Sequence, residues 1–336
     1  MVGSISIKNF KSLKDVSFES RRVNIFIGEP NTGKSNLLEA LGVFSLNYTN
    51  ARNVLRYKTL YDLFFDTNVA EPITIAAGAY SASIEFWREK CLVKVSDANT
   101  VDLPELEGKA LNNELALTLE SDRTVAGNID YSEHWPFRYY KFYQQQNFPS
   151  DKISFLSTPY GDNLVSILRS NGELRELVRE LIESKGYKLN LRIESREIEL
   201  VKDNGVLISY PYQSVSDTLQ RIIFYLAAIK SNKNATLLLE EPETHIFPFY
   251  TKYLAELMAL QSSNQYFIVT HNPYFLLSLV EKTPIDELAV FITYMEKYET
   301  KLRQLSNEEL SELLDLNTDI FFNLDKFLTI SNEPLS

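Results

Sequence analysis

The chain holds one cysteine, Cys91, among 336 residues. That excludes an intramolecular disulfide framework and a cysteine zinc cluster, and it fits a reducing compartment. Histidine is nearly as scarce, at three: His134, His245 and His271. No apolar run approaches the length of a membrane span. The opening Met1-Val2-Gly3-Ser4-Ile5 has no basic stretch leading into an apolar one. A cytoplasmic protein with no membrane partner is the expectation. Positive charge is in deficit: 34 Lys and Arg stand against 45 Asp and Glu, a net charge of −11. This argues against a generally basic nucleic-acid surface. A local groove can still oppose the net field, and Arg21, Arg22, Arg52 and Arg56 are candidates for one; the plainer reading is a solvated face. Internal repeats and low-complexity linkers are also missing.

Core material is plentiful. Hydrophobic residues make up 44% of the chain, with 19 Tyr and 20 Phe scattered mostly through strand-like runs, so packing accounts for the aromatics. The length allows two domains, but one composite α/β domain with insertions fits as well.

The most informative stretch is Gly28-Glu29-Pro30-Asn31-Thr32-Gly33-Lys34-Ser35. It matches G-x-x-x-x-G-K-[ST] between an apolar strand, Val23–Ile27, and a helix-patterned run beginning at Asn36. Backbone N–H groups of such a loop and of the helix start converge on one point and favour an anion there. Lys34 adds a full positive charge for the β- and γ-phosphates, and Ser35 a hydroxyl for Mg²⁺.

Alternation predicts strands at Ser4–Asn9, Val16–Glu19 and Val23–Ile27. After a helix to about Leu46-Asn47, further strands are predicted at Ile73–Ala77, Ser83–Trp87, Leu92–Val95 and Leu115–Leu119, as an antiparallel layer on a nucleotide-binding core, with Phe137–Tyr143 as a further strand. Asp162 reads as an N-cap for a helix over Asn163–Ser170, closed by Asn171-Gly172, and a second helix spans about Glu173–Lys185. Together they form a short helical arm. Asp203-Asn204-Gly205 reads as a hairpin turn. Ala235–Leu239 and Tyr266–Thr270 read as buried strands, Leu288–Tyr294 as an edge strand, and Asn307–Leu316 as a small helix. The organisation is therefore 1–158 as an N-terminal lobe, 159–186 as the arm and 187–336 as a C-terminal lobe, all one composite domain.

Paired acids, Glu240 and Glu241, follow the first of those buried strands. One carboxylate at a strand end holds Mg²⁺ through its water shell, and its neighbour activates water. The competing reading is an acid cluster stabilised at a helix N-terminus; the phosphate loop favours the first. His271 follows the second strand, where polar groups at carboxyl ends line the crevice of an open α/β sheet, so it is a candidate for the γ-phosphate or the attacking water. His245 either sits at a subunit contact or merely packs.

These motifs together resemble an ATP-binding-cassette-type ATPase head of the OLD/RecF/SMC group, close to the prokaryotic AAA family ATPases related to OLD proteins. Ile7–Leu13 resembles the opening strand and turn, Gly28–Ser35 the Walker A loop, Leu237–Glu241 Walker B, Pro242–His245 the D-loop, and Ile268–Pro273 the switch-histidine segment. The resemblance implies a P-loop NTPase fold with an antiparallel β subdomain, and nucleotide contacts from Lys11, Ser12, Glu29, Pro30, Asn31, Thr32, Gly33, Lys34, Ser35 and Asn36. It implies Mg²⁺ at Ser35 and Glu240, and ATP hydrolysis by Glu241, His271 and Lys34. It further implies a homodimer through the heads, with Ser216, in Ser214–Arg221, read in trans by the second head. Asp217-Thr218 stands there in place of the family's glycine, and Glu240 stands where many members have Asp. One of Gln144, Gln145 and Gln146 is the candidate Q-loop glutamine. OLD proteins often carry a Toprim nuclease domain. No matching acidic pattern follows His271, and Asp315 and Asp319 read as a solvated helix end, so a separate effector, nuclease or toxin, is the implied partner.

Overall fold

A computed structural model describes residues 1–46, 48, 53–98, 114–122, 124–127 and 135–329. The expected alternation builds its first sheet. In β1 (Ser4–Phe10), Ile5 and Ile7 turn inward while Ser4 and Lys8 face out. β1 pairs antiparallel with β2 (Leu13–Glu19) on one side and β4 (Ile73–Ala77) on the other. The layer continues antiparallel through β5 (Tyr80–Trp87), β6 (Lys90–Asp97), β7 (Glu114–Leu119) and β8 (Val125–Gly127).

The second sheet carries the chemistry. Its order is β16 (Glu299–Gln304), β15 (Leu288–Glu296), β3 (Val23–Gly28), β14 (Gln265–Val269), β13 (Thr236–Glu240) and β9 (Phe137–Tyr140). All its pairings are parallel except β15 with β16. Continuous apolar runs suit strands covered on both faces. Ile25, Ile27, Leu237, Leu239 and Ile268 enter one core with helix α4 (Asp217–Ser231), α5 (Pro248–Leu260) and α6 (Pro273–Lys282). Phe26, Leu238, Phe267 and Phe291 enter the other, beneath α1 (Lys34–Gly42) and the antiparallel sheet. There Phe26 stacks between Phe291 and Phe267, at 5.2 and 6.4 Å, and Phe18 of β2 meets Phe291 edge-on at 4.9 Å. Edge-on and stacked rings of this kind join the two sheets.

The two helices expected over Asn163–Ser170 and about Glu173–Lys185 are α2 (Leu164–Ser170) and α3 (Gly172–Glu183), both packed on α4, with Leu174, Val178 and Ile182 buried. One cap differs from expectation. Asn163, not Asp162, takes the N-cap place of α2, and its Oδ1 accepts from the Ser157 N–H at 2.7 Å. Asn171 closes α2 as expected, its N–H donating to the Ile167 carbonyl at 2.9 Å, and it also opens α3, accepting from the Leu174 N–H at 3.0 Å, with Gly172 the first residue of that helix. A three-stranded sheet, β10 (Lys188–Arg192), β11 (Glu197–Asp203) and β12 (Leu207–Pro211), follows, with Gly205 in the hairpin turn.

Leu288–Tyr294 is not an edge strand. β15 lies inside the sheet, and the edge is β16, which the sequence reading missed. The turn between them uses Lys297 and Tyr298 at φ 49° and 66°; without Asn-Gly it gives no hairpin signal. α1 ends at Gly42 and passes into a short 3₁₀ turn, Val43–Ser45; Asn47 lies outside the described residues. α7 (Asn307–Leu316) matches its expected span.

Candidate functional site

Strand register assembles the site. Glu240 pairs with Val269, and Val269 with Phe26. The residues just beyond those strand ends therefore come together: Glu241, Thr270-His271 and the start of the phosphate loop. The Glu241 N–H donates to the Val269 carbonyl at 2.9 Å and the Thr270 N–H to the Phe26 carbonyl at 3.3 Å, so the segments stay joined past the sheet.

The loop depends on glycine where it turns. Gly33 has φ 91°, and a Cβ there would lie 2.0 Å from Thr300 Oγ1. At Gly28 a Cβ would lie 2.4 Å from the Thr293 carbonyl oxygen. Glu29, Pro30 and Asn31 form the exposed tip, with Asn31 at φ 63°, a conformation Asn tolerates. Thr32 Oγ1 bonds the Glu29 carbonyl at 2.9 Å and Thr293 Oγ1 at 2.6 Å. Gly33 also begins α1 without a side-chain cap, which leaves the first N–H groups of the helix to an anion.

Lys34 is 4% exposed, and its ammonium donates to the carbonyls of Gly28 and Glu29 at 2.9 and 2.5 Å. Burial brings its pKa down to about 8, against the opposing pull of Glu241 and Glu29. Across the crevice, His271 Nε2 lies 3.5 Å from Glu241 Oε1. Burial and then the Lys34 charge lower the pKa of His271, with Glu241 opposing. Lys34, Glu241 and His271 thus share one electrostatic neighbourhood. Glu241 itself has φ 45° and accepts from the Thr244 hydroxyl at 3.2 Å.

Glu240 accepts from Tyr139 OH at 3.0 Å and lies 3.7 Å from Arg56 Nη1. Among the described residues no group of three His, Cys, Asp or Glu side chains could hold a metal ion. A protein cage is thus excluded among them. A cation that keeps several waters and takes phosphate oxygens, as Mg²⁺ does, fits the donor set of Ser35 hydroxyl and Glu240 carboxylate.

Lys11 and Ser12 stand beside this machinery but bond inward. The Lys11 ammonium meets Glu39 of α1, a fully buried carboxylate, and the Arg56 carbonyl. Arg56 closes on the same carboxylate from its Nε at 2.5 Å and its backbone N–H at 2.8 Å. Ser12 Oγ bonds Thr300 Oγ1 at 2.7 Å and accepts from Asn36 Nδ2 at 2.8 Å. The β15–β16 hairpin therefore braces the loop through Thr293 and Thr300. Sequence reasoning missed that brace along with Glu39, Tyr139 and Thr270. A lone acid at Glu39 among Leu37, Leu38 and Ala40 was the available signal.

Ser216 is the exposed N-cap of α4, accepting from the Leu219 N–H at 3.4 Å. His245 Nδ1 lies 3.4 Å from Asp217 Oδ2, and its carbonyl accepts from Thr218 Oγ1 at 2.8 Å, so Pro242–His245 is tied to the start of α4. Gln144 and Gln145 donate to the carbonyls of Gln213 and Tyr160. With Gln146, Tyr143 and Asp162 they line a cleft of about 510 Å³. Of the four arginines, the three described, Arg21, Arg22 and Arg56, bond to groups of the protein itself. Arg22 is buried on the Met258 and Ala259 carbonyls at the end of α5 and pairs with Glu287. Arg21 bonds the Ile285 carbonyl, Arg56 is held by Glu39, and Arg52 and His134 lie outside the described residues.

Placed beside known structures, this arrangement has the α/β fold of an ABC-type ATPase head. An SMC head bound to the C-winged helix domain of ScpA matches 93% of this chain and 99% of its own, with TM-score 0.52 and 15% identity. At that identity the likeness is one of fold. An SMC head with an extended coiled coil, from Pyrococcus furiosus, matches 94% of this chain and 98% of its own with TM-score 0.48 and 15% identity. The chain belongs to the family described as AAA domain, putative AbiEii toxin, Type IV TA system, whose model matches residues 77–278. An uncharacterized protein of Methanocaldococcus jannaschii is 34% identical over 79 residues, which is 19% of this chain and 36% of that protein. The matched part of this chain thus spans little more than a third of that relative's length. Among the described residues no helix is long and apolar enough to cross a membrane.

Proposed function

We propose that this chain binds and hydrolyses ATP with Mg²⁺, as one head of a pair. The observation that carries the reading is the convergence of Lys34, Glu241 and His271, brought about by the register of β3, β14 and β13. The loop amides and Lys34 hold the phosphates, and Ser35 and Glu240 hold Mg²⁺, which supplies charge neutralisation at the phosphate oxygens. Glu241 accepts the proton of the attacking water, and His271, kept neutral by burial and Lys34, hydrogen-bonds at the terminal phosphate. Ser216 serves the partner head, at the start of a helix whose N–H groups suit an anion.

Purified protein tests this directly. Lys34→Ala abolishes ATP binding. Glu241→Gln keeps binding, lowers turnover by about two orders of magnitude or more, and accumulates an ATP-dependent dimer in light scattering. Unchanged turnover in Glu241→Gln removes the mechanism.

We further propose that the head controls a separate effector of nuclease or toxin type, in antiphage defence or a toxin–antitoxin pair, and that it stands near the OLD group within its family. The family's description, which names a toxin and a Type IV TA system, supports this. A cytoplasmic location accords with the single cysteine. A scaffold that binds ATP with little turnover is the second reading, favoured by Arg56 standing at Glu240; measuring turnover against ATP-dependent capture of the effector separates the two. A RecF-like DNA role is disfavoured by the engagement of Arg22 and Arg56 inside the protein.

A further inference from the structure

Glu243 has no part in the chemistry above, yet it is 4% exposed and sits between the two segments that carry it. Its Oε1 accepts from the Thr270 hydroxyl. That same hydroxyl accepts from the Asn272 N–H at 3.0 Å, so both of its hydrogen-bonding roles are used on either side of His271. The Glu243 carbonyl accepts from the Ile246 N–H at 3.0 Å, which closes the turn that follows Glu241. The other oxygen, Oε2, makes no hydrogen bond among the described residues. A carboxyl buried this deeply is costly unless it is neutral or its bonds hold something in place. Burial pushes Glu243 up to about 7, partly opposed by the Thr270 hydroxyl and the backbone N–H groups of Glu243 and His271.

We propose that Glu243 is a positioning residue: through Thr270 it fixes the backbone that presents His271 to Glu241 and to the reacting phosphate. This rests on the nucleotide-site reading. Glu243 acts by holding Pro242–Thr244 and Thr270–Asn272 as one unit. Loss of the carboxyl leaves ATP binding to the loop intact and lets His271 move.

The test combines two substitution pairs with two readouts. Glu243→Leu and Thr270→Val each remove the link; Glu243→Gln and Thr270→Ser each keep it. Expected for the first pair is a fall in kcat of about tenfold or more with the ATP dissociation constant held within about twofold, and recovery of most of that loss in the second. In protein labelled at histidine, the His271 ring resonance, one of only three histidines, shifts and broadens in the first pair and returns in the second. Thr270→Val covers the case in which Glu243→Leu fails to fold. An unmoved His271 resonance in Thr270→Val overturns the proposal, as does equal loss in the conservative and disruptive variants. Absence of turnover in the parent protein overturns the ATPase reading instead; the His271 resonance, read without nucleotide, still decides the role of Glu243.

Discussion

Lys34 shows how one residue serves both the resting loop and its ligand. Its ammonium rests on the loop's own carbonyls, and burial holds its pKa near 8. A polyphosphate in the loop favours the charged form, so binding raises that pKa. Below about pH 8 the lysine is charged before and after binding, and affinity is flat. Above it, binding takes up a proton. ATP affinity then falls by about tenfold per pH unit until the pKa of the complex is reached. Titration of a fluorescent ATP analogue between pH 6.5 and about 9.5 checks this; a flat profile means that the ammonium does not meet the phosphates. Glu39 makes a second case. It is a fully buried carboxylate with Lys11 and Arg56 on its oxygens. Burial lowers the pKa of Lys11, with Glu39 opposing. Removing the carboxylate in Glu39→Ala leaves that ammonium without its counterion and costs about 3 kcal/mol, to be read by urea unfolding. Arg56 is half-exposed and contributes little to that loss.

At the scale of elements, the phosphate loop is less a motif than a contact between three pieces. β3 and α1 define it, and the β15–β16 hairpin closes behind it through Thr293 and Thr300. Gly33→Ala meets both a φ of 91° and Thr300 Oγ1 at 2.0 Å. It is expected to destabilise the protein by about 1–3 kcal/mol and to abolish nucleotide binding, seen as a lowered melting temperature that ATP no longer raises. The loop and the strands β3, β13 and β14 were legible in the sequence because each is a local pattern with a flanking helix. The hairpin was not. Its turn residues carry no glycine, and Thr300 shows its meaning only once Ser12, far away in sequence, lies against it.

Across the whole molecule, strand register brings Lys34, Glu241 and His271 together within one chain. Ser216 is exposed and caps its own helix. If a second head reads this residue, capping and trans contact separate by substitution. Ser216→Asp keeps a good N-cap and sets a carboxylate against the partner's phosphate. The monomer keeps its melting temperature within about 1 °C, while the ATP-dependent dimer expected with Glu241→Gln is lost in light scattering. A dimer that survives places the interface elsewhere.

By itself the sequence determined the class of molecule. A glycine-bounded loop between strand and helix, acids ending one buried strand and a histidine ending another are local chemistry, because each needs only a few neighbouring residues to be recognised. It also marked β13 and β14 as covered on both faces, since apolar continuity records that directly; β3 and β15, read from alternation and as an edge, are equally buried. Only the tertiary structure decided which strands are neighbours, and so which side chains meet. Parallel pairing joins residues hundreds of positions apart through backbone bonds that carry no side-chain signature. For that reason Lys34, Glu241 and His271 could be named separately from sequence. Glu39 with Lys11 and Arg56, Thr300 with Gly33, and Glu243 with Thr270 had to be seen together.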